Sequence, residues 1–209
     1  MNISIIIVNY NTRLVTKQCL DSIFKWTKDV SFEVIVVDND SHDGSKEMLA
    51  SYPNIKYVQS GGNLGFGKAN NLGYKFSSGR YILLLNSDTY LLNQVEYVMG
   101  ADICIRREVV EKCGMFDPDF FMYYEESEMQ NRYRQSGYTS MIVPTPLIVH
   151  LECVSSKVAN KKYSYSNRQT FFNSYMLYMK KTCSPLVYLF FRIVFLFQFP
   201  IFLASYYTL

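Results

Sequence analysis

Apolar runs alternate with helical patterns along the first half of the chain. Ile3 to Val8 is a run of Ile and Val interrupted only by Ser4, which is typical of a strand buried on both faces of a parallel sheet. Three similar runs predict further strands, at 32–37, 55–58 and 81–85. Helical spacing between the runs predicts helices, at 14–24, 46–51 and 68–76. The order βαβαβαβ predicts an α/β fold with a parallel sheet and right-handed crossovers.

Polar residues follow three of these strands, at the point where each strand ends. They are Asn9, Tyr10 and Asn11, then Asp38, Asn39, Asp40, Ser41 and Asp43, and finally Asn86, Ser87 and Asp88. Any one of these loops could be a simple turn, because Asn, Ser and Asp are common turn residues. A turn, however, needs no carboxylate directly after a buried strand. Because the loops after parallel strands share one edge, the sequence predicts a ligand site there.

Asp88 is the most informative of these residues, since the apolar strand 81–85 runs directly into the short motif of Asn86, Ser87 and Asp88. Open α/β sheets bind ligands at the carboxyl ends of their strands. A carboxylate is a hard oxygen ligand, and such ligands suit Mg²⁺ or Mn²⁺ bound to phosphates.

Composition and charge narrow the class. The 209 residues are 49% hydrophobic, enough for one sizeable core and an appendage. A formal charge of +3 is too small to favour a nucleic-acid partner. Five cysteines lie far apart without a CxxC pair, which favours reduced cysteines in a cytosolic protein. No secretory signal pattern is visible at the N-terminus, so we expect a cytoplasmic protein.

The C-terminal segment 185–209 is almost entirely apolar and aromatic, interrupted by Arg192, Gln198 and Pro200. It is long enough to span a bilayer, but the arginine and the proline favour a monotopic or re-entrant amphipathic anchor. Basic residues upstream are placed to meet anionic lipid headgroups, namely Lys157, Lys161, Lys162, Lys180 and Lys181. The alternatives are a dimer interface or a helix pair that covers the sheet.

The glycine-rich segment 62–68 fits the P-loop pattern G-x-x-x-x-G-K. The next residue is Ala69, so the hydroxyl that binds Mg²⁺ in a P-loop is missing, and an NTPase is disfavoured. The segment also fails the dinucleotide pattern G-x-G-x-x-G, because Asn70 stands at the third glycine. Close packing of a helix on a strand explains the glycines equally well.

Six motifs occur in a specific order: SIIIVNYN, VIVVDNDSHDGS, NLGFGKANNLG, LLLNSDT, GMFDPDFFMYYEESEMQNRYRQSGY and LIVHLECVSS. Together they resemble the inverting GT-A glycosyltransferases of family 2, especially rhamnosyltransferase-like members that build cell-surface polysaccharides. The resemblance covers about Asn2 to Ser156. It implies a GT-A fold, with a mostly parallel, Rossmann-like sheet, in residues 1–156, followed by an apolar helical region in 157–209.

The resemblance implies roles at the donor end. Asp38 would accept a hydrogen bond from the uracil or thymine of a UDP- or dTDP-sugar, as a carboxylate can from an imide N–H. Residues predicted to line the rest of the donor pocket are Asn9, Tyr10, Asn11, Lys68, Asn71, Asn86 and Ser87. Asp88 matches the last position of the family's DxD-type motif and would hold Mg²⁺ or Mn²⁺, with His150 completing the metal shell.

At the acceptor end, Glu126 matches the family's catalytic Asp and would be the base, with Glu125 and Glu128 as acceptor-side or structural neighbours. The alternative is an ordinary acidic first turn of a helix, which the helix dipole favours. The resemblance implies transfer of a sugar, with rhamnose as one expectation, to a cell-surface glycan or lipid-linked saccharide at the inner face of the cell membrane.

One departure from the family favours a second hypothesis. The family has several tens of residues between Asp88 and the GADICIRR segment, whereas this chain has eleven residues there, TYLLNQVEYVM. A segment is therefore expected to be missing after about residue 90. The chain would then be a non-catalytic, membrane-associated remnant that binds nucleotide-sugars or assists an assembly.

Overall fold

The computed structural model describes residues 1–91, 103–141, 148–150 and 165–204. Its first part alternates strands and helices as follows: β1 (Ile3–Asn9), α1 (Arg13–Trp26), β2 (Phe32–Asp38), α2 (Ser45–Ala50), β3 (Ile55–Gln59), α3 (Phe66–Tyr74) and β4 (Tyr81–Asn86). All seven elements predicted for this part are present, and their ends agree with the prediction within two residues.

The strands of the main sheet lie in the order β3-β2-β1-β4-β6, where β6 is Ile103–Arg106. Strands β1 to β4 are parallel, and β6 runs antiparallel beside β4. The register pairs Asn9 of β1 with Asp38 of β2, and Val8 with Asn86 of β4. The polar ends of these three strands are therefore neighbours. The sheet is mostly parallel, as predicted, and the antiparallel edge strand was not predicted.

Apolar layers cover both faces of the sheet. Ile6, Ile35 and Leu84 belong to one buried cluster, and Ile5, Val34 and Leu83 belong to the other. This double burial explains why the strand sequences are continuously apolar rather than alternating. On the first face, α3 packs so closely that a Cβ atom at Gly73 would lie 2.6 Å from the Ile6 Cγ2 methyl.

A small second sheet follows β4. Strand β5 (Thr89–Leu91) pairs antiparallel with β7 (Ile148–His150), and the register sets Thr89 opposite His150. Helix α1 packs on β5, and the Leu91 N–H donates a 3.0 Å hydrogen bond to the Ser22 hydroxyl. The short segment after Asp88 is thus anchored to the main domain at its start.

The remaining helices are α4 (Arg107–Cys113), α5 (Glu125–Gln135), α6 (Tyr165–Thr182) and α7 (Pro185–Ala204). On α7, Leu186 is 79% exposed and Phe190 is 63% exposed. No helix in the described part of the chain is long and apolar enough to cross a bilayer. The predicted boundary at 156/157 and residues 92–102 of the shortened segment lie outside the described residues.

Candidate active site

Asn9 is the centre of the polar network at the carboxyl edge of the sheet. Its side chain is fully buried, and its amide nitrogen donates to Asp38 Oδ1 at 3.0 Å and to Ser41 Oγ at 2.9 Å. Its amide oxygen accepts from the Thr12 hydroxyl at 3.0 Å and the Thr16 hydroxyl at 2.7 Å. These bonds use the full hydrogen-bonding capacity of the amide. Asn9 therefore holds the Asp38 carboxylate in position. The predicted role of Asn9 in lining the donor pocket stays a prediction.

Two further contacts join the three loops. The Thr12 hydroxyl lies 3.2 Å from the Ser87 hydroxyl, which connects the loops after β1 and β4. The backbone N–H of Asn11 donates to Ser41 Oγ at 2.9 Å, which connects the loops after β1 and β2. Tyr10, between Asn9 and Asn11 in the sequence, is 40% exposed. The polar loops thus converge on one edge, as the sequence predicts.

Asp38 is fully buried, but the hydrogen bonds to its two oxygens differ in length. Oδ1 accepts the 3.0 Å bond from Asn9, whereas among the described residues Oδ2 accepts only long bonds, 3.5 Å from the Tyr57 hydroxyl and 3.4 Å from the Gln59 amide. Hydrogen bonds of this length are weak. Burial, followed by the charge of Asp38, raises the pKa of Tyr57, so this phenol stays a donor. The second oxygen is the side of Asp38 that a ligand donor could take over.

Sequence reasoning missed Tyr57 and Gln59. Their signal was present, since they stand two residues apart on β3 and therefore share one face of the sheet. Register pairs Gln59 with Asp38.

The glycine-rich segment is held to the loop after β2. Asn39 donates to Asn63 Oδ1 at 3.0 Å and accepts the Leu64 N–H at 2.9 Å. Gly65 has a φ of +80°, and a Cβ atom there would collide with the carbonyl oxygen of Phe121. Gly65 therefore allows the start of α3 to lie close to the segment that precedes α5.

Of the two predicted donor contacts on α3, Lys68 is exposed and Asn71 is engaged elsewhere. The Asn71 amide donates to the Phe116 carbonyl at 2.8 Å and accepts the Phe116 N–H at 3.1 Å. This paired contact fixes the segment before α5 to α3. The predicted donor roles of Lys68 and Asn71 stay predictions.

The acidic cluster lies in the first turn of α5, and its three carboxylates have different surroundings. Glu128 forms two 3.0 Å bonds with the Arg132 guanidinium, so it is a structural partner. Glu125 is 2% exposed, and its Oε2 has no hydrogen-bond partner among the described residues. Burial, and then the charge of Glu126, raises the pKa of Glu125 to about 7. Burial also raises the pKa of the half-buried Glu126.

This acidic turn reaches the same edge of the sheet as Asp38. The Phe66 N–H, at the start of α3, donates to the Phe121 carbonyl at 3.2 Å. A Cβ atom at Gly67 would lie 3.8 Å from Glu125 Cβ. Since α3 begins directly after the loop that binds Asn39, the acidic turn and the end of β2 border the same region.

The backbone in front of α5 is unusual. Tyr123 and Tyr124 both have left-handed φ values, of 72° and 66°. Bulky residues adopt this conformation at a cost of about 1–3 kcal/mol each, so surrounding contacts must hold it. The Tyr124 ring packs on Phe171, Tyr175 and Tyr178 of α6. No local sequence pattern predicts this conformation, because the rings that contact Tyr124 lie far along the chain.

The backbone of Asp88 lies beside the strand pair that contains His150. Asp88 lies in the turn between β4 and β5, and Thr89, the next residue, pairs with His150. A carboxylate and an imidazole at neighbouring backbone positions are a donor set that Mn²⁺ accepts, and the carboxylate also suits Mg²⁺. Among the described side chains, which do not include that of His150, no group of three or more His, Cys, Asp or Glu residues forms a metal site.

The sheet order and the polar carboxyl edge define an α/β protein of the GT-A fold. Residues 4–101, just under half of the chain, match the sequence profile of the family described as Glycosyl transferase family 2.

Two curated relatives are similar to this chain in sequence, and one solved structure is similar in fold. The chain is 35% identical over 97 residues to a poly(ribitol-phosphate) beta-glucosyltransferase of Bacillus spizizenii, a match that covers 44% of this chain and 15% of that protein. It is 24% identical over 198 residues to the low-salt glycan biosynthesis hexosyltransferase Agl10 of Haloferax volcanii, covering 65% of this chain and 62% of the relative. The mannosyltransferase PcManGT of Pyrobaculum calidifontis, solved with GDP-Man and Mn²⁺, superposes with a TM-score of 0.62 at 13% identity, over 95% of this chain and 80% of that one.

The lengths of these matches differ from that of this chain. The chain spans less than two thirds of each of the two curated relatives. The Agl10 match extends over 198 residues yet takes in only 65% of this chain, so that relative has residues without a counterpart here.

Proposed function

We propose that this chain transfers a sugar from a nucleoside diphosphate donor to a glycan or lipid-linked saccharide acceptor, with inversion at the anomeric carbon. The main support is one observation: the buried carboxylate at the end of β2 and the acidic turn of α5 border the same edge of the sheet, through the start of α3. This reaction needs a donor-binding group and a proton acceptor, and we propose Asp38 and Glu126 for these two roles.

The donor end would be built around Asp38. The imide N–H of uracil or thymine would replace the long hydrogen bonds that Oδ2 now accepts from Tyr57 and Gln59. Guanine also presents N–H groups, and PcManGT was solved with GDP-Man, so the base is left to experiment. Asn9, Tyr10 and Asn11 would border the base and ribose. Rhamnose as the sugar stays a prediction from the family resemblance.

Asp88 and His150 would hold Mg²⁺ or Mn²⁺. The ion would stabilise the negative charge that develops on the diphosphate leaving group. PcManGT, which shares the fold, was solved with Mn²⁺, and in this chain the pairing of Thr89 with His150 brings the backbones of the two proposed ligands close together.

Glu126 would remove the proton from the acceptor hydroxyl as it attacks the anomeric carbon. A general base works best when its pKa lies near the working pH, and the raised pKa of Glu126 moves it in that direction. Glu125, which is more deeply buried, would stay protonated over part of the neutral range and line the acceptor side. Glu128 is already committed to Arg132.

A lipid-linked or surface glycan would be reached from the membrane. Helix α7 exposes Leu186, Leu189 and Phe190, and no Asp or Glu occurs after Glu152 in the sequence. An apolar helix in a region that carries only basic charges complements an anionic lipid surface. We therefore propose peripheral binding at the cytoplasmic face of the cell membrane.

Sedimentation with vesicles tests the membrane contact. The protein is expected to sediment with vesicles that contain phosphatidylglycerol and less with pure phosphatidylcholine. The double variant Leu189→Ser/Phe190→Ser should lose this binding, whereas Phe76→Ser, at another exposed aromatic residue, should keep it. Unchanged sedimentation of the double variant would overturn the proposal. So would a wild-type protein that binds no lipid but forms a dimer, if the double variant is monomeric.

The proposed reaction is tested first by thermal shift with UDP, dTDP, GDP and ATP, each with and without Mn²⁺. A ligand that binds only the folded protein raises its stability with the logarithm of concentration. Metal-dependent stabilisation by one of the first three nucleotides supports the proposal and identifies the base. Stabilisation by ATP alone would favour the P-loop hypothesis instead.

The second candidate function is a non-catalytic, membrane-associated remnant. It is favoured by the eleven residues that separate Asp88 from the GADICIRR segment, fewer than the family resemblance predicts. A remnant would bind the nucleotide but release no nucleoside diphosphate from the matching nucleotide-sugar. Turnover with an intact donor therefore separates the two functions.

A further inference from the structure

The acidic turn of α5 is approached through two left-handed residues, Tyr123 and Tyr124. Tyr124 is the residue directly before Glu125, and its N-terminal neighbour shares its conformation. The backbone dihedral angles at Tyr124 set the direction in which α5 leaves the preceding chain. They therefore set where the carboxylates of Glu125 and Glu126 point.

Helix α6 surrounds Tyr124 with three aromatic rings. The ring centroids lie 5.3 Å from Phe171, 5.3 Å from Tyr175 and 5.5 Å from Tyr178. These residues are spaced four and three apart, so they form one face of the helix. Centroid distances of this size are those of favourable aromatic pairs. We call Phe171, Tyr175 and Tyr178 the aromatic face of α6.

Polar contacts hold the same stretch at two other points. The Ser174 hydroxyl, on α6, donates a 2.7 Å hydrogen bond to the Met122 carbonyl, two residues before Tyr124. Lys181, also on α6, binds the carboxylates of Asp117 and Asp119 at 2.6 and 2.7 Å. Helix α6 thus contacts both ends of the segment 117–124.

The other side of this stretch is fixed to the sheet domain. Asn71 of α3 pairs with the backbone of Phe116, and the Phe66 N–H binds the Phe121 carbonyl. The stretch is therefore clamped between α3 and α6. Its strained end, at Tyr123 and Tyr124, faces α6, because Phe171 also contacts the Tyr123 ring at 5.5 Å.

We infer that Tyr124 is a positioning residue for catalysis: the aromatic face of α6 holds it in the left-handed conformation, and this conformation aims Glu126 at the acceptor hydroxyl. The inference rests on the proposed function, since it concerns the geometry of the proposed base. Tyr124 touches neither donor nor acceptor in this scheme. Its effect passes through the backbone, so it changes the rate of transfer and not the binding of the donor.

The test compares ring removal with ring retention. Phe171→Ala and Tyr178→Ala remove parts of the aromatic face, and Tyr178→Phe keeps the ring. Phe76→Ala is the matched control, because Phe76 and Phe171 are both 47% exposed and Phe76 follows the C-terminal end of α3. For each protein, the dissociation constant of the nucleoside diphosphate is measured together with kcat and KM for its release from the nucleotide-sugar.

The expected result is a fall in kcat on the order of 100-fold for the two alanine variants, because small displacements of a catalytic group have effects of this size. Donor dissociation constants should not change. Tyr178→Phe and Phe76→Ala should retain wild-type kcat. Equal kcat for Phe171→Ala and Phe76→Ala, or loss of donor binding in parallel with kcat, would overturn the positioning role.

A second pair of variants tests the backbone itself. Tyr124→Gly and Tyr124→Ala both remove the ring, but only glycine adopts the left-handed conformation without strain. Tyr124→Gly should therefore retain more kcat than Tyr124→Ala, whereas a role of the ring alone predicts equal loss.

The wild-type protein separates failure of this inference from failure of the proposed function. Wild-type protein that binds the nucleotide but never releases it from the sugar contradicts the proposed function, and the positioning role falls with it. Wild-type turnover with unaffected variants contradicts the positioning role alone.

Discussion

Asn9 and Asp38 are paired across β1 and β2, and the Asn9 amide donates a 3.0 Å hydrogen bond to the Asp38 carboxylate. The same amide also binds Ser41, Thr12 and Thr16. One buried side chain thus connects the ends of two strands and the first turn of α1. It orients the carboxylate that we propose for recognition of the donor base.

Replacing Asn9 by alanine should destabilise the fold. The change leaves buried polar partners without a hydrogen bond, which costs about 1–3 kcal/mol for each such group. We expect a loss of about 3 kcal/mol in the free energy of unfolding, measured by urea denaturation. Asn54→Ala, at an exposed position, should change it by less than about 0.5 kcal/mol. A loss below about 1 kcal/mol for Asn9→Ala would contradict the central role of this network.

Replacing Asp88 by asparagine should abolish metal-dependent donor binding. The amide removes the negative charge that a divalent cation needs, while the size of the side chain is kept. In the thermal-shift experiment, Asp88→Asn should lose the part of the nucleotide effect that depends on Mn²⁺. Asp21→Asn, an exposed position on α1, serves as the control. An undiminished Mn²⁺ effect in Asp88→Asn would rule out this residue as the metal ligand.

Replacing Glu126 by glutamine should spare donor binding and remove transfer. Loss of a general base typically costs 10²–10⁴-fold in rate. Release of nucleoside diphosphate is the measurement, with Ser127→Ala at the exposed neighbouring position as the control. If Glu126→Gln turns over at the wild-type rate, the base lies elsewhere, and Glu125 is then the next residue to replace.

The raised pKa of Glu125 should make the stability of the protein depend on pH in a specific way. Burial raises its pKa from the ordinary glutamate value of 4.5 to about 7 in the folded protein, so the folded state binds the proton more tightly. Folding is therefore unaffected by this group below pH 4.5 and becomes less favourable as the pH rises to 7. At 1.36 kcal/mol per unit of pKa, the cost reaches about 3 kcal/mol above pH 7.

The variant Glu125→Gln cannot ionise and should lack this cost. The difference in melting temperature, variant minus wild type, should increase from pH 4.5 to pH 7.5 and should be smallest at pH 4.5. Glu111→Gln, at an exposed position on α4, should show a constant gap. A gap for Glu125→Gln that does not widen with pH would show that Glu125 ionises normally.

The strands of this protein could be predicted because both faces of its sheet are buried. A doubly buried strand has a nearly continuous apolar sequence, and Ile3 to Val8 fits this pattern apart from Ser4. Convergence of the polar loops followed from the parallel arrangement. The antiparallel strand β6 could not be predicted, because its four residues carry little pattern and its place depends on pairing with β4.

The acidic turn shows why the site was only partly predictable. Its position in the sequence was clear, but Glu125, Glu126 and Glu128 look alike in a sequence. Their difference arises from tertiary contacts: Arg132 neutralises Glu128, while α3 and the surrounding chain bury Glu125. The left-handed backbone at Tyr124 depends on rings about fifty residues away, and no short stretch of sequence encodes such a contact.

The turn that carries Asp88 is fastened on both sides before any ligand arrives. Thr89 bonds the Asn86 carbonyl at 2.6 Å, and Leu91 is tied to Ser22 of α1. The conformational entropy of this turn is therefore lost during folding and not during binding. Under the proposed function, a nucleotide would therefore bind at this end to a preformed surface, and little of its binding free energy would be lost in ordering a loop.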